Sequence, residues 1–418
     1  MLHAVRVTCT GMLVLAFALA ASPARAQDPQ AELKAQIELL RQQLDALQKK
    51  VAALEAAQPA AAAPVQTTVQ VQPAAPAPAA VDQPPATALP VYGSPSALSK
   101  IFNPDIAVVG NFVGAAGKND VDPTPALQLS EAEVSFQAVV DPYARADFFL
   151  AASPEGLEIE EGFITFPTLP GGLLAKVGKM KAQFGKVNTL HAHNTAWVDQ
   201  PLALKNLVGG EEGLNDSGVS VSKLIMNPAL FLEATGEIFN GTNDLFTGYE
   251  RSDLTYVGRL RGYRDLTEGT NLDIGTSLAY GHNDAGPDAT TRLFGVDATF
   301  RYRPLRRAIY RRFIGRTELF WSRRSEDPSE AIAFGAYVSG EYQFSRRWFA
   351  GGRYDFSDRA IDTTLRDKSG SVLLTYWPSE FSQVRAQYRR TLFGDGARSN
   401  EILFQFLFSI GAHGAHVF

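Results

Sequence analysis

Between residue 101 and the C-terminus the sequence breaks into sixteen short segments in which apolar and polar side chains alternate. Alternation of period two places successive side chains on opposite faces of an extended strand. The segments are 105–114, 126–140, 143–152, 157–167, 172–180, 217–225, 229–239 and 252–264 in the first half. The second half holds 271–281, 290–303, 309–323, 331–344, 347–357, 369–377, 381–393 and 400–411. About 20 residues per strand and connection accommodate the 9–11 residues of a tilted membrane strand.

The polar face decides the architecture. On 347–357, Trp348, Ala350, Tyr354 and Phe356 oppose Arg353 and Asp355, and on 290–303, Phe294, Val296 and Phe300 oppose Asp297, Thr299 and Arg301. On 229–239, Leu232, Ala234 and Ile238 oppose Glu233, Thr235 and Glu237; on 381–393, Val384, Ala386 and Tyr388 oppose Arg385, Gln387 and Arg389. A dry core cannot hold so many charges, because each unpaired ion costs several kcal/mol there. The inverted arrangement satisfies both rows: apolar side chains face lipid and charged ones a water-filled interior. This predicts an all-β membrane protein, a 16-stranded antiparallel transmembrane β-barrel spanning 101–418.

The connections agree. Those after even segments are tight-turn material, such as Val140-Asp-Pro and Thr168-Leu-Pro-Gly, apart from the longer inner turn Pro304-Leu-Arg-Arg-Ala-Ile, whereas VGGEEGLNDS, FNGTNDLFTGYER, GHNDAGPDAT and SEDPSE follow odd ones. Tyr143, Tyr280, Trp321, Tyr342 and Trp377, near segment ends, suit aromatic girdles at the membrane interfaces. The last segment sets Ile402, Phe404, Phe406, Phe408 and Ile410 on one face, and the sequence ends in Phe418. A final strand with a terminal aromatic resembles bacterial outer-membrane barrels.

The preceding residues read as three further parts. Residues 1–26 read as a signal peptide, with Arg6 before the apolar run 11–21 and Ala24-Arg25-Ala26 as cleavage site. Residues 27–57 form a periplasmic coiled-coil helix: Leu33, Ile37, Leu40, Leu44, Leu47, Val51 and Leu54 are spaced 4-3-4-3-4-3, a seam that requires a partner helix. A single amphipathic helix lying on its own barrel is the alternative. Residues 58–100 are a Pro/Ala-rich linker without the large apolar residues a core needs.

Composition narrows the function. A net charge of −5, from 39 basic and 44 acidic side chains, argues against nucleic acid as a partner. The single Cys9 excludes a disulfide framework or cysteine-rich metal module. No HExxH, P-loop or GxSxG sequence occurs, so neither an enzyme nor a cofactor is expected.

Lys181 to Asp216 is the longest connection, and a loop of such length in a compact domain is usually functional. His191-Ala-His193 raises metal binding, which needs further ligands such as Asp199 or Glu212. Two solvated histidines that stabilise the loop are the simpler reading, so no metal is expected; His413 and His416 read as inner-rim residues. By alternation the lumen holds Arg145, Arg259, Arg261, Arg301, Arg316, Arg353, Arg385 and Arg389. It also holds Glu131, Glu133, Asp147, Glu233, Glu237, Asp273, Asp297, Glu318, Glu341 and Asp355. Sequence alone does not reveal whether the two signs segregate.

FNPDIAVVGNF (102–112), EAEVSFQAVVDPYARADFFL (131–150), QFGKVNTLHAHN (183–194), VDQPL (198–202), GEEGLNDSG (210–218) and SIGAHGAHVF (409–418) carry a resemblance. They resemble a family of proteobacterial outer-membrane porins similar to the phosphate-selective O/P-type porins. The resemblance covers 101–418 and implies a trimeric sixteen-strand channel for passive diffusion of small ions and solutes. It further implies that the third long loop folds inward, making Lys181, Lys186, His191, His193, Asp199 and Lys205 a constriction. Phosphate-type relatives line their channel with lysines and an arginine ladder; Arg385 and Arg389 are the best fragment of one here, so anion or phosphate preference is an expectation. The implied location is a Gram-negative outer membrane, with lipid around the barrel and peptidoglycan near the N-terminal segment. The alternative is an envelope tether whose coiled coil binds the cell wall and whose barrel only anchors it.

Overall fold

The computed structural model describes residues 104–326 and 329–411. The signal peptide, coiled coil, linker, His413, His416 and Phe418 lie outside the described residues. The chain divides into two units, 1–84 and 85–418, and the described residues belong to the second.

Sixteen strands close into one barrel. They begin with β1 (Asp105–Lys118), β2 (Gln128–Asp141), β3 (Ala144–Ser153), β4 (Gly156–Leu169) and β5 (Leu173–Lys181). There follow β6 (Asn215–Ile225), β7 (Phe231–Phe239), β8 (Thr255–Thr267), β9 (Thr270–His282), β10 (Thr290–Tyr302) and β11 (Arg312–Glu326). The last are β12 (Ser329–Ser345), β13 (Trp348–Asp358), β14 (Arg366–Ser379), β15 (Ser382–Leu392) and β16 (Arg398–Gly411). Each expected segment forms one strand. Every strand pairs antiparallel with its sequence neighbours, and β16 returns to β1 from Ala107↔Gly411 to Lys118↔Asn400. Closure leaves no open edge, and every ladder pairs its backbone groups within the wall.

The long–short rhythm holds with three exceptions. Connections 142–143, 170–172, 226–230, 268–269, 346–347 and 380–381 follow even strands, while 119–127, 182–214, 240–254, 283–289, 359–365 and 393–397 follow odd ones. The odd connection after β3 is nevertheless tight, at 154–155, the ladder after β11 already pairs Glu326 with Ser329, and the even connection after β10 runs long, over 303–311. SEDPSE is therefore mostly strand, because Ser325↔Glu330 and Glu326↔Ser329 extend the ladder. Hydrophobic alternation stops at the edge of the apolar belt, but backbone pairing continues beyond it.

Facing follows the alternation. Val338, Leu260, Leu278, Tyr354 and Ile402 are exposed on the outer wall, whereas Asp297, Arg353, Asp355, Gln387 and Glu401 are buried inside. Trp377 departs from the expected girdle. It lines an inner cavity with Gln383 and Arg385, where the β14–β15 register shifts between Tyr376 and Ser379.

Candidate functional site

The connection 182–214 lies inside the barrel and joins side chains of β2, β4, β7, β9, β11, β13 and β15. Its course starts from Gly185, whose positive φ of 62° turns consecutive N–H groups toward the wall. Gly185 N–H donates to Ser277 Oγ (3.1 Å), and Lys186 and Val187 N–H donate to the Glu318 carboxylate (2.7 and 3.0 Å). Gln183 N–H donates to Glu237 Oε2 (2.7 Å). At the neck of the loop, Asn188 Nδ2 donates to the Ala182 and Leu214 carbonyls, and Leu214 N–H donates back to Asn188 Oδ1. Inward carboxylates thus satisfy backbone donors that would otherwise be buried without partners.

The loop also carries an apolar core into the lumen. Phe184, Val187, Trp197, Leu204, Leu207 and Val208 pack against Phe320 and Tyr337 of the wall. Helix α1 (Leu202–Leu207) supplies the two leucines at positions 204 and 207, one turn apart on a single face. Trp197 meets Tyr337 edge-on at 5.3 Å and lies under the Arg353 guanidinium at 4.9 Å. The expected uniformly polar, water-filled lumen is therefore corrected at this level. Alternation along strands cannot foresee which apolar groups a loop brings in.

Asp199 locks the loop to one wall. Its carboxylate accepts from Arg353 Nη2 (2.8 Å), Arg389 Nη1 (2.9 Å) and Gln387 Nε2 (2.5 Å). Arg353 also pairs with Asp355 (2.8 Å) and Arg389 with Glu401 (2.6 Å). Burial alone would raise the Asp199 carboxyl, but the Arg353 and Arg389 charges outweigh it and hold the group down at about 2. Val198 N–H and Leu202 N–H add bonds to Gln387 Oε1 (2.9 Å) and Asp355 Oδ1 (3.3 Å).

The histidines meet a different stretch of wall, the acidic one on β2 and β4. His191 Nδ1 lies 2.6 Å from Glu133 Oε2 and 3.0 Å from Glu160 Oε2, and its Nε2 lies 2.8 Å from Glu161 Oε2. Burial would lower the imidazole; hydrogen bonds to Glu133, Glu160 and Glu161 reverse that and push it up to about 12. His193 Nδ1 is 3.6 Å from Glu131 Oε1 and 3.8 Å from Glu133 Oε2. Both histidines are buried, correcting the expectation of a solvated pair. The nearby carboxylates come from β2 and β4 instead of Asp199 or Glu212. Glu160 and Glu161 both point inward because the β3–β4 register shifts there, Phe149 pairing with Glu161 and Leu150 with Ile159. Strict alternation would have sent one of them outward; the adjacent carboxylates in Ile159-Glu-Glu-Gly were the available signal.

The remaining candidates divide between pairs and a basic patch. Lys181 is buried against Glu160 (3.0 Å), and Lys205 stands at the long-loop end with Asp122 (2.6 Å) and Glu211 (3.1 Å). Arg259 pairs with Asp297 (2.9 Å). Three cations share one carboxylate: Arg261, Arg301 and Lys186 lie 2.8, 3.8 and 3.9 Å from Asp273 Oδ2. Burial first, and then the neighbouring Arg261, lower the Lys186 amine from its ordinary value. Arg385 is held by neutral acceptors, namely Gln405 Oε1 (2.9 Å), the Thr195 carbonyl (3.1 Å) and Thr375 Oγ1 (3.2 Å). With Arg316 it lines a cavity of about 50 Å³ that also touches His193 and Glu341. The signs therefore segregate: an acid-rich wall on β2 and β4, a cation-rich one on β8 to β11.

These features define a sixteen-strand antiparallel barrel with an apolar exterior, a charged interior and one inserted loop. No family model matches the chain. An uncharacterised protein of Aquifex aeolicus (strain VF5) is 29% identical over 388 residues, covering 76% of this chain and 81% of that one. Among solved structures, a loop L8 deletion mutant of OmpT, an outer membrane protein of Vibrio cholerae, has a TM-score of 0.52 at 11% identity. That match covers 74% of this chain and 99% of the deletion mutant. Pseudomonas putida OprB at high pH has a TM-score of 0.53 at 10% identity, covering 74% and 94%. At such identities the likeness establishes a shared barrel fold.

Proposed function

We propose that this chain is an outer-membrane porin, a passive water-filled route for small ions and solutes that performs no catalysis. The reading rests on the closed barrel whose outside suits hydrocarbon and whose inside is charged. Sixteen strands enclose enough room for an aqueous channel. The barrel fold shared with an outer membrane protein of Vibrio cholerae supports a Gram-negative outer membrane as the site, with long loops outward and the N-terminal segment periplasmic. A trimer form of OmpT, together with the heptad seam at 33–54, supports a homotrimer whose coiled coil stands near peptidoglycan.

The inserted loop is the constriction, and the channel prefers anions. The argument is one of accessibility. Lys186, Arg261 and Arg301 keep 26%, 31% and 21% of their side chains exposed around a single buried Asp273. Glu131, Glu133, Glu160 and Glu161 are between 5% and 15% exposed and face the loop. Charges that remain accessible to a permeating ion set selectivity. Purified protein in a planar bilayer should give discrete conductance steps, with a reversal potential across a KCl gradient that favours chloride. Absence of steps would end the channel reading, and a cation-favouring potential would end the anion preference.

A further inference from the structure

We infer that Glu131, Glu133 and His193 form a binding site for a divalent transition-metal ion that fastens the inserted loop to β2. The His193 Nδ1 separations of 3.6 and 3.8 Å from Glu131 Oε1 and Glu133 Oε2 exceed hydrogen-bonding distance. They approach the separation of about 3.4 Å that tetrahedral bonds of about 2.0–2.1 Å impose on neighbouring zinc ligands. All three ligand atoms lie within 4.8 Å of one another. His191, two residues earlier, makes hydrogen bonds of 2.6–3.0 Å to Glu133, Glu160 and Glu161.

A further observation points to a cation. Glu131 Oε1 is buried without a hydrogen-bond partner among the described residues, and His193 Nδ1 stands 3.6 Å away.

The chemistry selects the ion class. One imidazole nitrogen with two carboxylates suits Zn²⁺, Co²⁺ or Ni²⁺, whereas Mg²⁺ and Ca²⁺ prefer oxygen-only sets. His191 acts as the outer support, since its Nδ1 holds the Glu133 oxygen that faces His193. His193 belongs to the short 3-10 turn Ala192–Asn194 and the carboxylates to β2, so occupation of the site joins loop to wall.

The test uses the refolded full-length chain and ZnCl₂ in isothermal titration, with Co²⁺ as a spectroscopic probe. The expected result is one Zn²⁺ per chain, weakened at least tenfold by His193→Ala and by the near-isosteric Glu131→Gln, and unaffected by His282→Ala. Co²⁺ should show the visible bands of tetrahedral nitrogen and oxygen ligation, lost in the same two variants. Heat-modifiable electrophoretic mobility verifies that each barrel is closed; if His193→Ala does not close, Glu131→Gln decides. Wild-type protein that binds no Zn²⁺ at millimolar concentration overturns the inference, as does binding unchanged by both substitutions. Neither measurement involves conductance, so the result stands apart from the porin reading.

Discussion

Asp199→Asn separates loop docking from barrel integrity. The carboxylate joins Arg353 and Arg389, and each guanidinium retains a second acid, Asp355 or Glu401, when Asp199 is neutralised. Holding a carboxyl at about 2 instead of 3.8 corresponds to roughly 2.5 kcal/mol in favour of its charged, docked state. Removing one partner of a buried pair costs about 3–5 kcal/mol in other proteins, so the loop contribution is of that order or somewhat less. At about 1.4 kcal/mol per tenfold, loop opening should become roughly 60 times more frequent. Hydrogen exchange at Val198 and Leu202, whose N–H groups donate to Gln387 and Asp355, reads that opening directly. The folded-state value lies below the unfolded one, so the contribution is complete above about pH 4 and disappears as pH falls toward 2. Exchange normalised to intrinsic rates should therefore accelerate over that window in the wild type and stay flat in the variant. Protection within twofold of wild type, or an acid response that persists in Asp199→Asn, would refute the reasoning.

Gly335→Ala should crowd α1, because its new Cβ would sit 2.9 Å from Leu207 Cδ1 and 3.0 Å from Ala203 Cβ. Overpacking of this kind costs about 1–3 kcal/mol, readable as increased acrylamide quenching of the buried Trp197. Arg301→Gln and Lys186→Gln should each move the reversal potential toward cations, whereas Lys205→Gln, at the long-loop end, should have a smaller effect. Equal shifts for all three would count against the basic patch as the selective region. Val338→Arg places a charge on the exposed outer wall and should lower stability in lipid by about 2–4 kcal/mol, measured by urea unfolding from bilayers. An unchanged midpoint would show that Val338 does not meet hydrocarbon.

The wall was legible because a strand in this setting obeys one rule: hydrocarbon outside, polar inside, period two. Arg353 and Asp355 on one face, with Tyr354 and Phe356 on the other, could be assigned without coordinates. The site was less legible, since it depends on where one loop lands. Asp199 and His193 were singled out together, yet they dock on different strands, with Arg389 and Glu131 respectively. Lys181 is expected as a constriction charge, and a long-range partner, Glu160, buries it. Glu160 itself was missed because a register shift makes two consecutive side chains share a face. Local alternation encodes the wall; pairings across more than a hundred residues are encoded only by the closed barrel.

The Asp199 anchor has a consequence for the order of assembly. Its guanidinium partners follow it by 154 and 190 residues in the chain. A contact of such sequence separation forms late, after the entropy of a very large chain closure has been overcome. Until β13 to β15 join the ring, the segment carrying Asp199 has no receptor and its charges remain hydrated. Ring completion therefore precedes insertion, and a barrel interrupted before its last strands would present this segment as an unfastened polar arm.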